Sequence, residues 1–145
     1  MICCDYCALG PDRRAQLLER IGDWLVPGGA FLFDVVTLAT LATKEEGVTY
    51  ALDLMDGFWS PRPYHGFRAA FRYDAEAVTL DRYTIVEEAE TRGSLNWLQC
   101  FTPATLTAEL ARSGFTVDEV LGDVAGHPYD PAALEMAVIA RPLPR

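Results

Sequence analysis

The stretch Leu25-Val26-Pro27-Gly28-Gly29-Ala30-Phe31-Leu32-Phe33-Asp34-Val35-Val36 decides how this chain folds. Its first half stops a helix and turns the backbone: Pro27 cannot continue a helix, and Gly28-Gly29 can take the positive φ of a tight turn. Its second half, Ala30 to Val36, is apolar apart from Asp34 and does not alternate like a strand with one wet face. Such a run predicts a strand covered on both faces, as in a parallel sheet flanked by helices. A buried helical segment gives a similar run, but the paired glycines and the β-branched Val35 and Val36 favour a strand. Asp34 then lies near the carboxyl end of a central strand, where open α/β sheets place their ligands.

Upstream, Ile2 to Cys4 reads as a short strand and Asp5 to Leu9 as the loop that leaves it. Gly10-Pro11-Asp12 opens a helix, with proline at its first position and a carboxylate in its first turn. Leu17, Leu18, Ile21 and Leu25 recur at helical spacing, opposite Arg13, Gln16, Glu19, Arg20 and Asp23. Strand, helix and strand together predict a right-handed crossover.

Downstream, Thr37 to Thr43 fits a short helix. Four runs rich in strand formers follow, at 48–55, 64–73, 78–87 and 95–101, with turn signals at 61–63, 74–76 and 90–94. Phe67, Ala69, Phe71 and Tyr73 share one face of the second run, and Arg68, Ala70 and Arg72 share the other. Residues 48–101 are therefore expected to form an antiparallel meander inserted into an α/β frame. Thr102 is a good N-cap, Pro103 suits the first helical position, and Leu106 and Leu110 face the core. Gly114 closes that helix, with Phe115 packing back against it. Runs 115–121 and 134–140 are the last strands. The link between them is broken by Gly126, Pro128 and Pro131 and is too short for a crossover helix, so the two should be antiparallel.

A chain of 145 residues, half of them hydrophobic, makes one domain with a sizeable core. A net charge of −9 with a single lysine, Lys44, excludes a nucleic-acid backbone as partner, there being no basic stripe to displace counterions. An anionic membrane surface is excluded on the same ground. No basic leader and no long apolar run is present, so a cytoplasmic protein is expected. Cys3, Cys4 and Cys7 crowd together far from Cys100, a spacing that suits thiols rather than a disulfide scaffold.

Several of these stretches resemble class I S-adenosylmethionine-dependent methyltransferases. Leu25-Val26-Pro27-Gly28-Gly29 with its apolar strand resembles the turn into that family's fifth strand. Cys4-Asp5-Tyr6 resembles the end of its fourth, and the helix, the strand at Gly114-Phe115 and an antiparallel last strand resemble its ending. Gly66-Phe67-Arg68, Leu80-Asp81-Arg82-Tyr83, Asn96-Trp97-Leu98-Gln99 and Phe101-Thr102-Pro103 are similar to a bacterial branch acting on small molecules. The resemblance implies a partial Rossmann-like fold, the C-terminal half of the mixed sheet, beginning at the fourth strand. The family grips its cofactor with a glycine-rich loop after the first strand, and this chain contains no Gly-x-Gly.

Of the family's S-adenosylmethionine contacts, only Cys4, Asp5 and Tyr6 carry over, with Asp5 and Tyr6 bordering the methyl-transfer site and Tyr6 a catalytic candidate there. Cofactor binding by this chain alone is expected to be weak or absent. The function implied is the acceptor-side portion of a small-molecule methyltransferase, inactive as an isolated chain. The alternative is a non-catalytic small-molecule-binding or dimerisation module on the same fold. Ile2 to Cys4 would be an uncovered sheet edge, so a homodimer, or pairing with a missing N-terminal half through that edge, is expected.

The residues themselves suggest further chemistry. Cys4-Asp5-Tyr6-Cys7 is a C-x-x-C, but it precedes the helix start and lacks two further ligands, so buried thiols are the simpler reading and no metal is expected. His65 and His127 are the only histidines. His127 lies in the polar and aromatic stretch Asp123 to Tyr129 and is the better candidate for a general base. Trp59, Tyr64, Phe67, Tyr83, Trp97 and Tyr129 are candidate pocket walls for a small-molecule acceptor, with Arg68 and Arg82 as anchors for an acidic one. Core packing and surface ion pairs account for the same residues equally simply.

Overall fold

The computed structural model describes residues 1–144. Its first helix, α1 (Pro11–Trp24), is opened by Gly10 and ends at the turn that the sequence marks. Gly28 has φ 79°, and a Cβ on Gly29 would sit 2.9 Å from the Val26 carbonyl oxygen, so side chains are disfavoured at both positions. The chain then extends as β1 (Phe31–Val36). Thr37 caps the short α2 (Leu38–Thr43), its hydroxyl accepting from the Ala39 amide.

The meander consists of β2 (Gly47–Leu52), β3 (His65–Tyr73), β4 (Val78–Val86) and β5 (Thr91–Gln99), paired antiparallel in that order. β5 begins at Thr91 rather than Leu95, because the turn is made earlier: the Glu87 amide donates to the Glu90 carbonyl. α3 (Pro103–Arg112) carries a reciprocal cap between Thr102 and Thr105, and Gly114 leaves it with φ 78°. β6 (Phe115–Leu121) and β7 (Glu135–Pro142) are antiparallel as expected.

The second sheet has the order β1-β7-β6, and β7 runs antiparallel to both neighbours. β1 and β6 are therefore parallel to each other, with Val36 and Leu121 at the same edge. β1 is not the central strand that its composition suggests. It is an outer strand, and only one of its faces is sealed along its whole length: Phe31, Phe33 and Val35 are buried, whereas on the other face Val36 is buried and Leu32 is 37% exposed. The core gathers Phe33, Val35, Leu18, Leu106, Leu110, Met136 and Val138.

Ile2 to Cys4 is not a strand, so the expected crossover unit and uncovered strand edge are not formed. Cys3 and Cys4 have positive φ (66° and 55°), and a single 3-10 turn, Asp5–Ala8, follows. The segment still lies along β1 in the same direction. The Met1 amino group donates to the Leu32 carbonyl, the Cys3 and Cys4 amides donate to the Asp34 carboxylate, and the Val36 amide donates to Cys7 Sγ. Asp34 thus caps backbone amides that a ladder would have paired.

Candidate functional site

Because β1 and β6 are parallel, the loops leaving their carboxyl ends converge on one edge of the sheet, where α/β folds place their chemistry. Thr37 ties two of them together. Its amide donates to the Leu134 carbonyl at 2.9 Å and its hydroxyl to the Ala133 carbonyl at 2.6 Å. The meander returns to this edge as well, the Phe101 amide donating to the Val36 carbonyl.

Tyr6 sits at this edge but points the wrong way for a catalytic group. It is 0% exposed, and its hydroxyl donates to Glu109 Oε1 at 2.6 Å. Burial first, then that hydrogen bond, pushes its phenol well above the usual range. Glu109 also accepts from Arg14 Nε and Nη2 at 2.7 and 2.9 Å, while Arg14 Nη1 donates to the Leu9 carbonyl. Arg14 is only 3% exposed and lies over the rings of Tyr6 and Phe101. Tyr6, expected at the site as catalytic and cofactor-binding, is therefore a structural residue that locks the 3-10 turn to α1 and α3.

Cys4 and Cys7 are buried, and burial is the main cause of their raised thiol pKa values; Cys7 stands at about 12. Cys4 and Tyr6 are turned inward, so of the expected cofactor triplet only Asp5 presents its side chain to solvent. Cys4 Sγ does lie with Asp34 and Glu135 oxygens inside a 4.8 Å cluster, a sulfur and oxygen grouping that the sequence reading did not foresee. Its Asp34 member is already engaged, since both carboxylate oxygens accept amides.

His127 stands in the loop after β6 with its imidazole exposed. Its Nδ1 lies 2.7 Å from Asp123 Oδ2, and Asp123 Oδ1 accepts the Ala125 and His127 amides. The His127 hydrogen bond holds the Asp123 carboxyl below its usual range. A carboxylate at Nδ1 fixes that nitrogen as the protonated one and leaves the lone pair on Nε2. The Asp123 contact was not foreseen; its signal is a carboxylate four residues before the histidine across the Gly126 turn. Tyr129, in the same loop, packs against the core.

The eight proposed acceptor-binding residues do not form one pocket. The register places Arg68 and Tyr83 opposite each other on the inward face of the meander, and the Trp59 ring lies 4.9 Å from that of Tyr83. Tyr64, 2% exposed, anchors the covering loop by donating to the Leu54 carbonyl. Phe67, Arg82 and Trp97 occupy the opposite, outward face. Arg82 stacks over Phe71, and His65 is held by Tyr50 at 2.8 Å.

Arg68 is not a free anchor either. Its Nε donates to Asp81 Oδ1 at 2.8 Å, and Lys44 Nζ donates to Asp81 Oδ2 at 2.6 Å. Burial acts to raise the Asp81 pKa, but these two cations outweigh it and hold the carboxyl low. The Trp59 indole N–H is buried without a hydrogen-bond partner, so the inward face keeps one unused donor. Glu87, just beyond β4, accepts from the Ser60 hydroxyl at 2.6 Å.

A cavity of about 860 Å³ lies at the other end of the sheet, between α1, the Pro27-Gly28 turn, Phe115 and Pro142. It is remote from the edge where the loops converge. No helix among the described residues is long and apolar enough to cross a membrane.

No family model matches this sequence, and no curated protein does. Solved structures match its fold. The CcbJ methyltransferase of Streptomyces caelestis shares 16% identity over 99% of this chain and 55% of its own, with a TM-score of 0.69. An S-adenosylmethionine-dependent methyltransferase from Clostridium acetobutylicum shares 7% over 99% of this chain and 56% of its own, at 0.70. The glycopeptide N-methyltransferase MtfA, in complex with S-adenosylmethionine, shares 21% over 99% of this chain and 55% of its own, at 0.53. The chain thus has the methyltransferase fold and spans about half the length of the structures it matches.

Proposed function

We propose that this chain, folded like about half of an S-adenosylmethionine-dependent methyltransferase, forms the acceptor side of such an enzyme acting on a small molecule. The observation that supports this most is the sheet order β1-β7-β6, with an antiparallel strand between two parallel ones, joined to a meander whose inward face carries Trp59, Arg68 and Tyr83. One neighbour is an N-methyltransferase, so a small-molecule amine is the first acceptor class to test. Catalysis here is mainly positioning. In this reading His127 Nε2, with Nδ1 held by Asp123, takes the proton that an amine or hydroxyl acceptor gives up.

The test is protein-observed NMR on the indole N–H signals. Small-molecule amines and S-adenosylhomocysteine are titrated separately into the chain. An amine acceptor is expected to move the Trp59 indole signal and leave exposed Trp24 unmoved, while S-adenosylhomocysteine alone binds weakly. Saturable tight binding of S-adenosylhomocysteine, or amines that move every indole except that of Trp59, overturns this assignment.

A further inference from the structure

The meander has one covered face and one open one. The loop between β2 and β3 seals the inward face, where Leu54 packs on Gly66 and Trp59 on Tyr83. On the outward face Ala69 and Leu80 are buried, but among the described residues no loop covers the large side chains around them. Six large apolar side chains on it, Val48, Tyr50, Leu52, Phe67, Leu95 and Trp97, are between 39% and 73% exposed. The unbroken register brings Tyr50 opposite Phe67, and their rings pack at 5.1 Å.

At about 200 Å² for a fully presented aromatic side chain, these six leave on the order of 600 Å² of apolar surface uncovered. That reaches the upper limit for the largest patch on a typical monomer, about 300–600 Å². It also supplies most of the roughly 800 Å² that each partner brings to a stable interface.

Charge decides what covers this face. The chain carries 21 acidic residues and a net charge of −9, so two copies repel over most of their surface. None of those carboxylates occupies an outward-facing strand position of the meander; the only ionisable groups there besides tyrosines are His65, tied to Tyr50, and Arg82, laid over Phe71. This is a surface on which a second copy can approach without carboxylates meeting. A four-stranded sheet with an apolar face can also stack on a copy of itself, as an aligned sandwich about 10 Å apart.

We infer that this protein self-associates through the outward face of β2–β5, sheet on sheet, with Tyr50, Phe67, Leu95 and Trp97 at the centre of a two-fold interface. This places self-association on a sheet face rather than on the N-terminal edge, which residues 1–7 already cover. It does not depend on any methyltransferase activity.

Sedimentation velocity from about 1 to about 200 μM, spanning the weak end of the affinities that such areas give, tests the inference. The wild-type chain is expected to dimerise. The double variant Tyr50→Glu/Leu95→Glu is expected to weaken dimerisation at least about 100-fold. Ile2→Glu, on the N-terminal segment, is expected to leave it intact. Hydrogen exchange on the unmodified protein at low and high concentration provides a readout that no folding defect can mimic: protection should rise with concentration in β2 and β5. A wild-type chain that stays monomeric overturns the inference. So does a dimer that survives in the folded double variant, one lost with Ile2→Glu alone, or one without concentration-dependent protection in β2 and β5.

Discussion

Arg14 and Glu109, on two different helices, meet as a two-pronged ion pair at 2.7 and 2.9 Å, and the Tyr6 hydroxyl completes it. Glu109 resists protonation because Arg14 and Tyr6 outweigh its burial. A carboxyl lowered by folding adds stability above its ordinary pKa, here 4.5, and that contribution is lost as pH falls through the depressed value. Urea denaturation at a series of pH values should therefore show stability dropping below about pH 4.5. Glu109→Gln should flatten part of that drop. Glu109→Leu, which strands a buried guanidinium, should cost about 3–5 kcal/mol at neutral pH.

Asp81 serves two cations at once, which gives a second prediction. Asp81→Asn should lower stability by about 2–3 kcal/mol, because Lys44 keeps its burial and loses its counterion. Adding Lys44→Met should recover part of the loss, since an apolar side chain needs no partner there. A double-mutant cycle by thermal or chemical denaturation measures the recovery.

The thiols provide a third. Only Cys3 is exposed, and burial raises the pKa values of Cys4, Cys7 and Cys100. At pH 8 a maleimide reagent should label one cysteine quickly in the folded protein. The other three should react only after denaturant is added. Rapid labelling at Cys7 would show that the C-x-x-C is open.

Gly66 yields a fourth prediction, on packing. A Cβ at this position would lie 2.3 Å from the Leu54 Cβ, so the covering loop rests directly on the β3 backbone. Gly66→Ala should push the loop away and cost about 1–3 kcal/mol. Thermal unfolding followed by circular dichroism should show a fall in Tm of several degrees.

These contacts also show what the sequence could reveal. The Pro27-Gly28-Gly29 turn, the Thr102-Pro103 helix start and the Gly114-Phe115 exit were all legible, because each depends on the local chemistry of a few adjacent residues. Alternation correctly grouped Phe67 with Phe71 and Arg68 with Ala70. It could not say which group would be covered, because that is settled by Leu54 and Trp59 from another part of the chain. Tyr6 looked like a site residue and proved structural for the same reason: its partner, Glu109, lies 103 residues away. Ile2 to Cys4 had strand composition, but Asp34 captured its amides in a different geometry. Asp123 was the near miss, four residues before a histidine already singled out.

The position of β7 between β1 and β6 has a consequence for synthesis. Phe31 pairs with Ala140 and Val36 with Glu135, so β1 leaves the ribosome about a hundred residues before its ladder partner β7 exists. Throughout translation this apolar segment stays exposed, with a whole meander and a helix emerging ahead of its mate. The three-stranded sheet can close only after β7 has emerged, so yield in a cell should depend on chaperones holding Phe31–Val36 soluble until then.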